Sequence, residues 1–299
     1  MAMRTLTHER MELFLRCQRK FRKTVGKHKG EVSKGDQVAA IIGKAVELVT
    51  ATSDPKERSI IIEAALQQLP DEEQTDALRR VETCVSRSDE IRSDEQTAKV
   101  LTQYQFKWFD EVTGWSLMAL PDFVRFARDA RGPVIQVIDE KTAGHITNYQ
   151  RRMLHFFGFV VAKQLDEEKR AAIAEAQRLD IHPTYTVSGF LAELVNEFGL
   201  EVLYSNTSIE LVIRLLGDND NPEGEQREVS IGFHKRARQW EQLAEIREVI
   251  SGIQAAFDAD DFPAKTDWNC DRCPFKLDCP AYEALLVAKR AEEALADTA

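Results

Sequence analysis

The sequence predicts an α/β fold, and three observations carry that reading. Apolar residues recur at helical spacing between residues 8 and 86. The period falls to two, with β-branched and aromatic residues enriched, between 104 and 141. Helical spacing then returns, broken by two short apolar runs. The order helices, strands, helices, strands, helices describes an α/β core with helical decoration.

Each element has a local cause. Residues 8 to 24 predict a helix, with Met11, Leu13, Phe14, Leu15 and Phe21 set among cationic positions. Val38, Ile41, Ile42, Ala45 and Val49 fix a second over 36 to 50. Ser53-Asp54-Pro55 supplies a cap with proline at the first helical position, opening a helix to Leu69 that Pro70 ends. Ala77, Leu78, Val81 and Val85 predict an amphipathic helix over 71 to 86. Tyr104 to Asp110, Trp115 to Phe126 and Val134 to Lys141 then read as an antiparallel meander of three strands, separated by turn-like residues 111–114 and 129–133. Helices are expected over 148–165 and 166–179, strands over 184–187 and 209–215, a loop over 217–226, and helices over 235–257 and 281–296. There is no internal repeat, low-complexity segment or good linker, so residues 1–299 are expected to form one domain.

Hydrophobic content of 43% with 30% charged residues describes a soluble globular protein. The longest apolar stretch, 155–162, is far short of the roughly 20 residues that cross a bilayer, so no membrane is expected as a partner. The charged N-terminus lacks the apolar core of a leader, which predicts a cytoplasmic location. There, five cysteines are thiols or metal ligands rather than disulfides. A net charge of −10 argues against a general nucleic-acid coat protein. A local basic patch exists all the same: Arg16, Arg19, Lys20, Arg22, Lys23, Lys27, Lys29 and Lys34. It reads as a phosphate-contacting surface or as a solvated helix face.

The chemistry gathers at strand ends. In Val137-Ile138-Asp139-Glu140-Lys141-Thr142, alternation puts Asp139 and Lys141 on one face and Glu140 on the other. An acid and an amine at the end of an apolar strand are costly unless they pair or bind something. Asp122, in Leu120-Pro121-Asp122-Phe123, precedes Asp139 by 17 residues with a turn between, so the two carboxylates can meet across neighbouring strands. Two converging carboxylates suit a hard divalent cation such as Mg²⁺ or Mn²⁺, beside which a lysine can orient water and stabilise phosphate charge. The plainer reading is a surface ion pair and a turn residue.

Pro121-Asp122 followed by Asp139-x-Lys141 resembles the motif of the PD-(D/E)XK nuclease superfamily. Val-Ile-Asp-Glu-Lys-Thr-Ala-Gly resembles in particular its RecB-like branch, which also carries a glutamine at the start of the next helix. Gln150 in Tyr149-Gln150-Arg151-Arg152 is the match. The aromatic partner that follows in that branch is a tyrosine, where this chain offers His155 or Phe156. Upstream the branch has a glycine and, four residues later, a metal-binding histidine. Gly43 fits, but Glu47 stands at the histidine's place. The resemblance implies a restriction-endonuclease-like core, a central mixed sheet flanked by helices. It implies a Mg²⁺ or Mn²⁺ site on Glu47, Asp122, Asp139 and the Glu140 carbonyl, with Lys141 assisting water attack and Gln150 steadying the site or the strand. His145 and His155 flank this site and read as structural hydrogen-bonders.

The cysteines extend the likeness. Cys270-x₂-Cys273-x₅-Cys279 lacks a fourth ligand for zinc or an iron–sulfur cluster. A subset of RecB-like nucleases, AddB-like domains and a cluster-bearing exonuclease of CRISPR adaptation among them, carries one cysteine on an N-terminal helix and three in this C-terminal spacing. That resemblance implies Cys17, Cys270, Cys273 and Cys279 as ligands of a [4Fe–4S] cluster joining N- and C-terminal segments, with Zn²⁺ as the alternative. Closing so long a loop is worth about 4 to 5 kcal/mol by analogy with a disulfide. Cys84 is left over as a small buried hydrophobe. The implied organisation is a basic N-terminal helix over 1–35, a helical part with Glu47 over 36–95, the catalytic core over 96–165, the cysteine segment over 262–280 and a helical tail over 281–299.

The implied function is a DNA exonuclease acting on single-stranded or frayed ends, in repair, recombination, CRISPR or phage-related processing. The chain has no GxxxxGK[ST] loop, so resection of a duplex would need a separate helicase. Two competitors remain at this point. One is a nuclease-fold module that binds DNA or a partner without cleaving; the other is a zinc-ribbon factor.

Overall fold

The computed structural model describes residues 4–25, 34–52, 54–94, 99–142, 146–217, 228–266 and 270–296. Lys27, Lys29, Ser53, His145 and the loop from residue 218 onward lie outside them. The chain divides into two compact units, one of Met1–Thr5 with Ile41–Gln242, the other of Leu6–Ala40 with Leu243–Ala299. Among the described residues no helix is long and apolar enough to cross a membrane.

The strands are β1 (Arg4–Thr7), β2 (Val100–Thr102), β3 (Phe106–Asp110), β4 (Trp115–Ala119), β5 (Phe123–Asp129), β6 (Gly132–Lys141), β7 (Ser208–Leu215) and β8 (Glu228–Phe233). The helices are α1 (His8–Arg16), α2 (Gln18–Val25), α3 (Lys34–Ala51), α4 (Pro55–Leu66), α5 (Asp71–Asp94), α6 (Asn148–Leu179), α7 (Gly189–Phe198), α8 (Glu201–Tyr204), α9 (Gln239–Ala259) and α10 (Pro280–Ala296).

The first unit is built on a five-stranded mixed sheet, order β2-β5-β6-β7-β8. β5 and β6 form an antiparallel hairpin, and Asp129 Oδ1 accepts from the turn amides of Arg131 at 2.7 Å and Gly132 at 3.1 Å. β6 and β7 run parallel, which demands a crossover, and α6 supplies it. Val134, Ile135, Val137 and Ile138 are all buried, as a central strand covered on both faces requires. α6 starts in a capping box in which Thr147 Oγ1 accepts from Gln150 N–H and Gln150 Oε1 accepts from Thr147 N–H. About a third of the way along it, Gly158 allows close approach to the sheet, since a Cβ there would lie 2.8 Å from Leu211 Cδ2 and 3.1 Å from His234 Cβ. The separate β3–β4 hairpin turns at Gly114, whose φ of +71° suits a residue without a Cβ.

An ion cluster unforeseen in the sequence crosses the sheet. Arg214 on β7 is fully buried and donates to Glu140 Oε1 at 3.0 Å and Glu228 Oε1 at 2.6 Å. Arg125 completes it by donating to Glu228 Oε2 at 2.8 Å. Burial alone would raise Glu228, but the hydrogen bonds from Arg125 and Arg214 hold it below the usual carboxylate range.

In the second unit, Phe14 and Phe21 meet edge to face at 5.3 Å, and Phe21 meets Phe257 of α9 at 6.4 Å. Arg22 lies over the rings of Phe257 and Phe262, 5.3 Å from each centroid.

Several expectations need correction. The helix over 8–24 breaks at Cys17, whose extended backbone (φ −157°) separates α1 from α2 and sets its thiol 3.5 Å from Lys20 N–H. The three-strand meander is two hairpins in different sheets, because Leu120-Pro121-Asp122 ends β4 and starts β5 afresh. Residues 184–187 hold no strand; a 3₁₀ turn, Pro183–Tyr185, lies there. Helices 148–165 and 166–179 are one, and α4 stops at Leu66.

Candidate active site

Asp122 and Asp139 face one another where β5 begins and β6 ends, the next pair beyond Phe123↔Ile138 in the antiparallel register. Asp122 Oδ2 accepts from Glu140 N–H at 2.7 Å, which fixes its carboxylate on the neighbouring strand. Asp139 is buried, 4% exposed, and forms an ion pair with Lys141 through Oδ2. That oxygen makes no hydrogen bond of regular geometry. The two carboxyl groups are close enough that the charge of each opposes ionisation of the other.

The electrostatics agree. Burial, then the charge of Asp122, push Asp139 up to about 7, although Lys141 acts against both. Burial raises Asp122 as well, opposed by Lys141 and by the Glu140 amide. Two acids that cannot both ionise cheaply form a site that gains from a cation.

A cavity of about 280 Å³ opens at Asp122, with Asp139 buried beside it. Glu47, Gln103, Asp122, Glu140, Lys141 and Thr142 supply polar lining, and Val46, Phe123 and Leu216 supply apolar wall. Glu47 projects from α3; burial favours its neutral form, but hydrogen bonds from Lys44 Nζ and Gln103 Nε2, each 2.8 Å from Oε1, keep it below the usual carboxylate range. The sequence reading missed Gln103. It takes a left-handed conformation (φ +47°) just after β2, where its N–H donates to Asp122 O at 2.9 Å while its side chain holds Glu47. No local pattern announces it, since both partners are distant in sequence.

Of the residues expected at the site, Glu47, Asp122 and Lys141 line one cavity and Asp139 lies buried beside them. Glu140 lines it too, but its carboxylate is held by Arg214 and by Ser88 Oγ at 3.3 Å. Gln150 commits Oε1 to capping α6. His155 is half-buried and held below the usual histidine range by burial, Arg238 and Arg151.

The donor types suit the groups proposed for them, hard carboxylates for Mg²⁺ or Mn²⁺ and thiols for iron–sulfur or zinc. Yet among the described residues no three His, Cys, Asp or Glu side chains are gathered as a metal group. At the carboxylates, Asp139 Oδ2 is buried and meets only the Lys141 ammonium, so a cation would add a second partner of the same sign. Cys17, Cys270, Cys273 and Cys279 lie in the second unit, outside any disulfide and partly buried. Their chain neighbours are tied together: Arg19 donates to Asp278 O at 3.0 Å and Lys23 Nζ meets Asp278 Oδ2 at 3.3 Å.

Asp122, just before β5, and Asp139-x-Lys141, at the end of β6, thus lie side by side on adjacent strands of the mixed sheet. The chain belongs to the PD-(D/E)XK nuclease superfamily, whose family model matches residues 5–280. No curated protein matches it. Among solved structures it is similar to that of SSO0001, at 10% identity and a TM-score of 0.36, covering 93% of this chain and 86% of that one. A likeness so distant carries no argument.

Proposed function

We propose that this protein is a Mg²⁺- or Mn²⁺-dependent deoxyribonuclease that trims single-stranded or frayed DNA ends. The observation that carries the reading is the buried pair Asp122–Asp139 with Lys141 against it. Asp122 and Asp139 would hold the cation, with Glu47 and the Glu140 carbonyl as further ligands. When bound, it supplies Lewis acidity for a phosphodiester oxygen and for water. Lys141 contributes a positive charge beside the reacting phosphate and orients the attacking water. The Glu140 amide keeps Asp122 in place, Gln103 does the same for Glu47, and Gln150 fixes the start of α6. Single-strand preference, end trimming and membership of the RecB-like branch follow from the sequence resemblance, as does a role in repair, recombination or CRISPR and phage DNA processing beside a separate helicase.

Labelled single-stranded DNA with Mn²⁺ gives the test. Wild type is expected to cleave it, and Asp139→Asn and Lys141→Met to lose about 10²-fold or more. Equal DNA binding with no cleavage by wild type would favour a binding module instead, which the Glu47–Lys44 contact makes the natural second reading.

We further propose that Cys17, Cys270, Cys273 and Cys279 hold a [4Fe–4S] cluster, with Zn²⁺ as the alternative. The tethering of Arg19 and Lys23 to Asp278 supports it. The cluster has a structural role and takes no part in hydrolysis. Anaerobic purification should give a brown protein with about four irons per chain, absent from Cys17→Ser. A colourless protein with one zinc would replace iron by zinc, and one with neither would end the proposal.

A further inference from the structure

The other end of the central sheet carries a second site. β6 and β7 run in parallel from Val134↔Ser208 to Lys141↔Leu215. Seven residue steps, about 23 Å, therefore separate Lys141 from the level of Ser208. At that far end a groove of about 810 Å³ is lined by α6, the segment before β7, and the residues from His234 to Trp240.

Its chemistry is unlike that of the chain as a whole. Lys163, Lys169, Arg170 and Arg236 line it against a single lining carboxylate, Asp166, in a chain of net charge −10. Lys169 is held by uncharged acceptors, Ser205 O at 3.1 Å and Thr207 Oγ1 at 3.3 Å, and Arg236 donates to Asn206 Oδ1 at 3.1 Å. Burial pulls Lys169 below the usual lysine range, Asp166 opposing and Arg236 adding to it, and the four cations outnumber the one lining carboxylate. Ser205 Oγ and His234 Nε2 are buried among the lining residues and make no hydrogen bond. Buried polar atoms of this kind are normally satisfied, so a ligand is a natural partner.

The rim adds a different element. Trp240 is 75% exposed and Tyr204 70% exposed, unusual for large aromatics. Lys163 Nζ lies 5.4 Å from the Trp240 ring centroid and 5.7 Å from that of Trp108, which steadies the exposed indole. Lining cations beside exposed aromatic rings match phosphates joined to unpaired bases. A bare anion has no use for the rings, and a duplex hides its base faces.

We propose that this groove binds single-stranded nucleic acid, with phosphates on Lys169, Arg170 and Arg236 and bases stacked on Trp240 and Tyr204. The inference does not require the nuclease reading. It gives the chain a strand-holding site remote from the Asp122–Asp139 pair.

The test uses full-length protein in chelator, so that no strand is cut, and a labelled oligothymidine of about 20 nucleotides read by anisotropy. Lys169→Gln with Arg236→Gln is expected to weaken binding at least about tenfold and to flatten the log–log salt slope by about 1.4, or 0.7 per phosphate contact. Trp240→Ala, at an exposed position where folding is not at stake, should weaken it about tenfold through lost stacking. Unchanged binding by both variants would overturn the proposal, as would a duplex binding as tightly as the single strand. Displacement by thymidine monophosphate or inorganic phosphate at the oligomer's own concentration would also overturn it, by defining a small-anion site. A trinucleotide, with only two internucleotide steps, is too short to bridge the two sites. Its cleavage should be unaffected by the Lys169/Arg236 change, which separates failure of this groove from failure of the nuclease.

Discussion

Replacing Asp139 by asparagine should stabilise the metal-free protein, by an amount that grows with pH. Burial and the neighbouring Asp122 push the Asp139 carboxyl from an ordinary 3.8 up to about 7. The folded state therefore binds this proton more tightly than the unfolded chain. Below about pH 4 both states are protonated and the contribution is fully present. It is lost progressively as pH climbs from about 4 to about 7, and levels off above. A shift of about three units at about 1.4 kcal/mol each sets an upper bound near 4 kcal/mol, and coupling to the titration of Asp122 reduces it. Asparagine keeps the shape and has nothing to ionise. Groups shifted the other way, Glu47 and Glu228, give wild type an opposite slope of their own at lower pH, so the informative quantity is the difference between the proteins. Urea unfolding in chelator should show variant and wild type nearly equal at about pH 4 and the variant ahead by about 2 to 4 kcal/mol at about pH 8. A difference that does not change with pH, or a variant less stable at pH 8, would refute the reasoning.

Gln103→Gly should leave stability unchanged or raise it by up to about 1 kcal/mol, because glycine takes the left-handed backbone without strain. It also frees Glu47, so the Mn²⁺ concentration for half-maximal cleavage should rise several-fold in a metal titration. Arg214→Met strands Glu140 and Glu228 without their buried partner and should cost about 3 to 5 kcal/mol in denaturant unfolding. Adding Glu140→Gln and Glu228→Gln should recover part of that loss. Gly158→Ala should cost about 1 to 3 kcal/mol despite its better helix propensity, since its Cβ meets Leu211 Cδ2; thermal melting checks it.

The carboxylate pair was legible in the sequence because two local rules suffice. Strand alternation puts Asp139 and Lys141 on one face, and the β5–β6 hairpin brings Asp122 opposite. What escaped depends on distant partners. Arg214 reads as an anomaly in Leu-Val-Ile-Arg-Leu-Leu until Glu140 and Glu228 are known to meet it. Gln103 is an unmarked polar residue until Glu47, 56 positions away, is brought to it. The break at Cys17 was hidden because apolar spacing continues through it, and only the extended backbone there separates α1 from α2. Short edge strands such as β2, three residues long, carry too little pattern to be read.

Manganese binding tests the central claim most directly. Titration of the full-length protein with Mn²⁺, followed by the electron paramagnetic resonance of the free ion, should show at least one bound ion per chain in wild type. Affinity should strengthen as pH rises through about 7, where the proton held by Asp139 leaves, and Asp122→Asn and Asp139→Asn should each abolish that site. Wild type and both variants taking up manganese alike, or none taking it up at any pH, would contradict the assignment of this carboxylate pair to a cation.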